Sequence, residues 1–381
     1  MSTTPIDVIV AGHICLDITP DFSSVTGSSV GEVLRPGKLL EVGAPTISTG
    51  GAVSNTGLAL RRLGLNVSLM GRCGTDQLGD MLLDVLAEEA PGAGDGMSVS
   101  DNAQTSYSVV LAIPGIDRIF LHCPGCNDTF GPGDIDSTLL SRARILHFGY
   151  PPLMRRMYES EGKELERILH NASNAGTATS LDMALPDPDS DAGRADWPSI
   201  LSRILPHTDV FLPSLEELLF MLDRSRFQAL SESAGGITDN FLPEDVRRAA
   251  GQCLEMGARI VVVKCGHVGA YLRTREQPGE VKNCLGSPDD WRAVEIFEPT
   301  CQVKTVASAT GAGDSSISGF LAAMLRGEDP RWCMASLATV GAQNLSAIDA
   351  VSGVRSWEET VRHIEAGPPK NPLPDRLHDA F

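Results

Sequence analysis

Residues 306–325 read VASATGAGDSSISGFLAAML. The stretch passes from a strand end through a glycine turn to an acid and then a helix. Ile317, Phe320, Leu321, Met324 and Leu325 fall on one helical face, and Gly327 and Pro330 end the helix. Gly311, Ala312 and Gly313 therefore lie at or just before a helix N-terminus, where unpaired amides and the positive end of the dipole favour an anion. Small side chains let those amides approach the anion closely. Asp314 follows at once. It reads either as a helix cap or as a general base that takes a proton from a hydroxyl while the amides hold the phosphate under attack. The four residues GAGD alone leave both readings open.

Size and charge narrow the choice. A chain of 381 residues accommodates two or three average domains, or one large α/β domain with an appendage. No run approaches the ~18 apolar residues of a membrane span. The N-terminus lacks a basic leader, and nine scattered cysteines fit a reduced, cytoplasmic protein better than a disulfide scaffold. A net charge of −18 argues against nucleic acid as a partner. It also means that a bound nucleotide needs local donors and a metal ion to offset repulsion, so it should arrive as a magnesium complex.

Along the chain, residues 6–11 read as a buried strand, followed by GHICLD with Asp17. Residues 20–48 lose that pattern, with KLLEV (38–42) a candidate short strand. Gly50 and Gly51 make a tight backbone before a helix at 53–63, whose first turn carries Asn55. Residues 106–114 and 119–123 form β-rich runs around GIDR, a hairpin signal. Cys123-Pro-Gly-Cys126, with His122 beside it, reads as a turn, since no second CxxC follows at zinc spacing. From 145 onward strands and helices alternate, with a long helix at 153–175, an inserted loop at 224–242 and a β-meander at 271–297. Alternation implies a mainly parallel sheet covered on both faces, and the β-rich pieces that break it read as a small antiparallel lid. Asp17, Asp182, Ser214, Gly266 and Asp314 all end or follow strand runs, where open α/β sheets bind their ligands.

From about residue 6 to 355 the chain resembles the ribokinase-like (PfkB) kinases of carbohydrates and nucleosides. GGAVSN (50–55) with GRCGTDQLG (71–79) is similar to the N-terminal signature of that family, and ATGAGDSSISG (309–319) to its C-terminal one. GCN (125–127), SLEE (214–217) and KCGHVGA (264–270) stand where the family has similar blocks. The resemblance implies a three-layer α/β fold with a mainly parallel sheet, with a core of residues 1–16, 49–105 and 124–368, a β lid of 17–48 and 106–123, and a tail from 369 to 381. It implies transfer of the γ-phosphoryl of ATP to a hydroxyl, with Asp314 as base and Gly311, Ala312 and Gly313 as anion hole. Asp17, Gly50, Gly51, Asn55 and Asn127 match sugar-binding positions. Lys264, Gly266 and Gly269 match the nucleotide-binding turn, with Ser214 also on the cofactor side; the helix around Asn344 should flank the adenine, and Glu217 matches the acid that organises magnesium.

Ser308 replaces an Asp that commonly assists a monovalent cation in the family, which leaves potassium dependence open. Ser214 replaces an Asn, and Ser316 an aromatic residue. The favoured acceptor is a sugar or sugar-like polyol. A nucleoside kinase would want an aromatic face, for which Tyr107 and Phe130 are the candidates. A nucleotide- or sugar-binding regulator of the same fold is the third reading, which the intact Asp314 and GAG turn oppose. A homodimer through the exposed lid edges is also expected.

Overall fold

The computed structural model of the protein describes residues 5–27, 29–116, 118–279, 281, 284–378 and 380–381. Strand Ile6–Gly12 shows why its sequence is an unbroken apolar run. Val8 and Val10 point into one hydrophobic core, and Ile9 and Ala11 into the other on the opposite face. Ile260–Lys264 behaves likewise, with Val262 on the first side and Val261 and Val263 on the second. Period-2 side-chain alternation with both faces covered is the signature of a buried parallel strand.

Eight strands form the main sheet, in the spatial order Glu295–Pro299, Gly269–Thr274, Ile260–Lys264, Val210–Phe211, Ala178–Leu181, Ala143–Gly149, Ile6–Gly12 and Val67–Met70. The last six are mutually parallel, and the first two join antiparallel at one edge. Helices Ala52–Arg62, Ala312–Leu325 and Pro330–Asn344 cover one face. Helices Lys163–Asn174, Trp197–Ile204, Leu215–Leu222 and Pro243–Met256 cover the other. The helix Ala312–Leu325 is buried nearly all round rather than along one stripe, because two helices and the sheet enclose it.

A second, four-stranded sheet runs Gly43–Gly50, Cys15–Asp21, Tyr107–Leu111, Ile119–Cys123. Its two outer ladders are antiparallel and its middle pair is parallel. Asp17 pairs with both Ser48 and Ser108, and Ser108 with His122, so these residues form one row across the sheet.

Three local expectations change. KLLEV is not a strand: Leu39 is 91% exposed, and the partner of Cys15–Asp21 is the β-branched run Gly43–Gly50 that leads directly into Gly51. Residues 224–242 carry the helices Arg224–Ser231 and Gly236–Asn240, because Leu230, Ile237 and Phe241 are spaced to reach the core. The helix expected across 153–175 is broken. Ser160 and Glu161 take left-handed conformations (φ 52° and 59°), in a stretch, ESEGKE, with no apolar side chain to anchor a helical face. The C-terminal tail packs back on the edge strand, where Phe381 stacks on Phe297 at 4.8 Å between ring centroids.

Phe320 fixes the buried helix against the sheet-edge loop, meeting Trp291 edge-on at 6.0 Å. Phe320→Ala is expected to lower the unfolding free energy by roughly 3–5 kcal/mol, the usual cost of emptying an aromatic core site. Denaturant unfolding checks this, and a loss below about 1 kcal/mol would mean that the helix is held from elsewhere.

Candidate active site

The parallel strands end on one edge of the sheet, and each hands over a polar residue there. His13 follows Ile6–Gly12, Tyr150 follows Ala143–Gly149, Asp182 follows Ala178–Leu181, and Lys264 closes Ile260–Lys264. Ser214 follows Val210–Phe211 and bridges to Lys264. The turn before Ala312–Leu325 lies over this edge. Gly311 takes φ 71°, and a Cβ there would stand 2.4 Å from the Ala350 carbonyl oxygen, so the turn requires glycine.

Asp314, in the first turn of the helix, is 3% exposed. Asn55 donates to its Oδ2 at 3.0 Å, Thr56 donates to its Oδ1 at 3.4 Å, and the Tyr150 hydroxyl lies 2.8 Å from both oxygens. Burial pushes this carboxyl up, against the bonds from Asn55 and Tyr150 and the charge of Lys264. Tyr150 itself sits at φ 62°, an uncommon conformation for a residue with a side chain. Its phenol is driven well above the ordinary value by burial and then by Asp314, so it stays a donor.

On the far side of the turn opens a cleft of about 510 Å³, lined by Ser214, Lys264, Gly266, Gly269, Ala312 and Gly313 among others. Lys264 donates to Asp182 at 2.5 Å and to the Leu212 carbonyl at 2.6 Å. Burial pulls both partners toward their neutral forms, and the contact between them opposes this. It holds the lysine, with help from Glu217 and Asp314, above its ordinary value, whereas at Asp182 burial wins and keeps the carboxyl raised to about 8. Asp182, Glu217 and Asp314 thus all act on this one ammonium. Ser214 and Glu217 cap the helix Leu215–Leu222 reciprocally: the Ser214 amide donates to Glu217 Oε2 at 2.7 Å and the Glu217 amide to Ser214 Oγ at 3.1 Å. Asn344 does not line this cleft. It is fully buried and donates to the Thr310 carbonyl at 2.8 Å, bracing the glycine turn from behind.

The lid lies on the other side of Asp314. Asp17 is held over Gly50 so closely that a Cβ on Gly50 would meet its Oδ2 at 2.2 Å. Burial pushes the Asp17 carboxyl up, opposed by hydrogen bonds to Cys15 and Ser108. Asn55 Oδ1 is buried without a partner among the described residues. Asn127 clamps the backbone of Ile14, accepting at 3.3 Å and donating at 2.9 Å, so both ends of its amide are engaged with the chain between the strands Ile6–Gly12 and Cys15–Asp21. Gly51 caps the helix Ala52–Arg62. Ser308 accepts from Arg118 of the lid hairpin at 2.7 Å. Phe130 is buried against Phe148 in the core and presents no face to a ligand, whereas Tyr107 is half-buried beside the other core.

A profile of pfkB family carbohydrate kinases matches residues 14–355. The chain belongs to the pfkB family of carbohydrate kinases. An uncharacterised sugar kinase of Archaeoglobus fulgidus is 25% identical over 276 residues, 72% of this chain and 90% of the relative. The 2-dehydro-3-deoxygluconokinase of Bacillus subtilis is 23% identical over 334 residues, 87% and 90% of the two chains. Among solved structures, the fold is shared with Arabidopsis thaliana ribokinase complexed with ribose and ATP, at a TM-score of 0.69 and 17% identity over 95% of this chain and 99% of that one.

Tyr150, Thr56 and the Lys264–Asp182 pair of this kinase escape a reading of motifs alone. Tyr150 has no neighbour in sequence that marks it, whereas Asp182 ends a strand run and was legible to that extent. SLEE carries its own signal as a capping box. The Cys123–Cys126 pair is a turn: Gly125 is at φ 49° and the Cys126 thiol donates to the Gln104 carbonyl at 2.9 Å.

Lys264→Met removes the ammonium and leaves Asp182 buried without its partner. With the carboxyl ionised this should destabilise the kinase by about 3–5 kcal/mol. The deficit should shrink as pH falls, because the parent's Asp182, which burial already holds at about 8, then also takes up a proton and gives up the ion pair that the variant lacks. Denaturant midpoints measured across pH check this, and a deficit that stays constant or grows toward acid contradicts the pairing.

Proposed function

We propose that the kinase transfers the γ-phosphoryl group of ATP to a hydroxyl of a sugar or sugar-like polyol. Asp314 is the general base, and the backbone of Gly311, Ala312 and Gly313 is the anion hole. The observation that carries this reading is the position of Asp314, whose carboxylate meets Asn55 and Tyr150 next to the lid while the turn before it faces the large cleft. A base reached from one side by an acceptor and from the other by a phosphate is the arrangement an in-line transfer needs.

Asp17 and Asn55 would accept from and donate to acceptor hydroxyls, each of which does both jobs. Gly50 and Gly51 keep the backbone low enough for the acceptor, and Asn127 holds the hinge. Ser214, Lys264, Gly266 and Gly269 would border the nucleotide, with Asn344 supporting the turn. Glu217 and Asp182 would hold a magnesium ion or its waters, and such an ion supplies charge neutralisation along the polyphosphate. We take 17–48 and 106–123 as a lid on a core of 1–16, 49–105 and 124–368, closing to exclude water that would compete with the acceptor. The lid's outer strands, where Phe120 and Leu121 are about half exposed (54% and 55%), offer an edge to a second copy. Relatives named for different sugars, and a ribokinase structure holding ribose and ATP, support a polyhydroxylated acceptor and ATP as donor.

Release of ADP across a panel of sugars and nucleosides tests the reading. Turnover is expected with a sugar and should fall by ~10²–10⁴-fold in Asp314→Asn. A variant turning over near the parent rate would remove Asp314 from the mechanism, and ATP binding without turnover on any acceptor would indicate a regulator. The acid limb of kcat/KM should lie above the ~3.9 of a free aspartate, because burial raises Asp314. Tyr150→Phe should move it higher still, since the phenol favours the charged form. A limb unmoved by that variant contradicts the assigned contact.

A further inference from the structure

The chemistry proposed above leaves unused a group of side chains on the same face of the lid. Cys15 and Asp17 alternate along one strand, so both point to the face that carries the Asp17–Ser108–His122 row. His13, at the hinge between the main strand and the lid, turns its ring toward that row. Its Nε2 lies 3.3 Å from Nε2 of His122, with ring centroids 5.1 Å apart. Ligand atoms of His13, Cys15 and His122 all lie within 4.8 Å of one another.

Two imidazole nitrogens facing each other can share only one proton, and 3.3 Å is long for that bond. The spacing instead equals the edge of a tetrahedral site: two nitrogens each ~2.0–2.1 Å from a zinc ion stand about 3.3–3.4 Å apart. The other nitrogen of His122 lies 3.0 Å from the Ser108 hydroxyl, which can fix the ring with its Nε2 lone pair free. His13 is 3% exposed, and its Nδ1 has no partner among the described residues. Cys15 Sγ is 3.3 Å from Asp17 Oδ1, so the thiol sits between the histidines and the proposed acceptor carboxylate.

We propose that His13, Cys15 and His122 form a site for a soft or borderline divalent ion, Zn2+ above all, whose occupancy blocks the acceptor pocket. The N2S donor set selects zinc or cobalt over magnesium, so the ion that accompanies ATP does not compete for it. On binding, Cys15 releases its proton to solvent and its thiolate becomes the third ligand, and water or Asp17 completes the tetrahedron. Asp17 then loses the thiol donor and faces the metal. The acceptor pocket and the metal site thereby exclude each other. The blocking role rests on the kinase reading, whereas the metal site itself does not.

Cobalt added to metal-free, full-length protein is the direct probe. One equivalent should give intense visible bands of tetrahedral Co2+ together with a near-ultraviolet thiolate-to-cobalt band. Cys15→Ser should abolish the near-ultraviolet band. His122→Ala, at an exposed position on the lid edge, should weaken cobalt affinity at least ~10-fold with an unchanged thermal transition in the absence of metal. Cys123→Ser, at the nearest partly exposed thiol, should leave the spectrum as it is. No cobalt spectrum, or one indifferent to Cys15→Ser and His122→Ala, overturns the site. Zn2+ added under excess Mg2+ should raise the KM for the sugar acceptor in the parent and not in His122→Ala. Cobalt bound with this signature but with acceptor kinetics untouched by zinc overturns the blocking role.

Discussion

Keeping one carboxylate charged inside the protein is the constraint around which this structure is arranged. Desolvating an isolated carboxylate costs several kcal/mol even after relaxation, so Asp314 depends on what surrounds it. Its three hydrogen-bond donors come from two distant parts of the chain, Asn55 and Thr56 from one helix and Tyr150 from the end of a central strand. The N-terminal end of its own helix and the charge of Lys264 add to them. The site exists only where those elements converge, and the parallel sheet brings them to a common edge.

The same balance organises the cleft behind the glycine turn. Lys264 lines that cleft, and Asp182, Glu217 and Asp314 all act on its ammonium and hold it above its ordinary value. Lys264 is tied to Asp182 and to the Leu212 carbonyl, so it holds the strand ends together as well as offering charge. The lid answers to a different demand. One face of its sheet carries paired polar groups, Asp17, Ser108 and His122, fixed in one row by strand register.

Much of this could be read from residue order. The alternation of strands and helices, the break in it at the lid, and the glycine turn ending in Asp314 are patterns of local sequence, and local sequence encodes them. Tyr150 was out of reach because nothing nearby in sequence announces a tyrosine in a left-handed conformation aimed at a residue 164 positions away. The amides of Asn127 and Asn344 serve backbone groups of Ile14 and Thr310 instead of facing a cleft, a distinction that only packing decides. His122 stood beside a CxxC in sequence, yet strand register carries its ring to Ser108 and His13, over a hundred residues away from the latter. KLLEV has the composition of a strand, but Leu39 is 91% exposed and the strand begins just after the run, at Gly43.

A crystal structure with a sugar acceptor, Mg2+ and a non-hydrolysable ATP analogue bound together measures the claim on which the account stands. It should show one acceptor hydroxyl ~2.6–3.2 Å from an Asp314 oxygen, with the terminal phosphate against the amides of the 311–313 turn. A terminal phosphate seated away from that turn, or an acceptor with no hydroxyl in reach of Asp314, would contradict it.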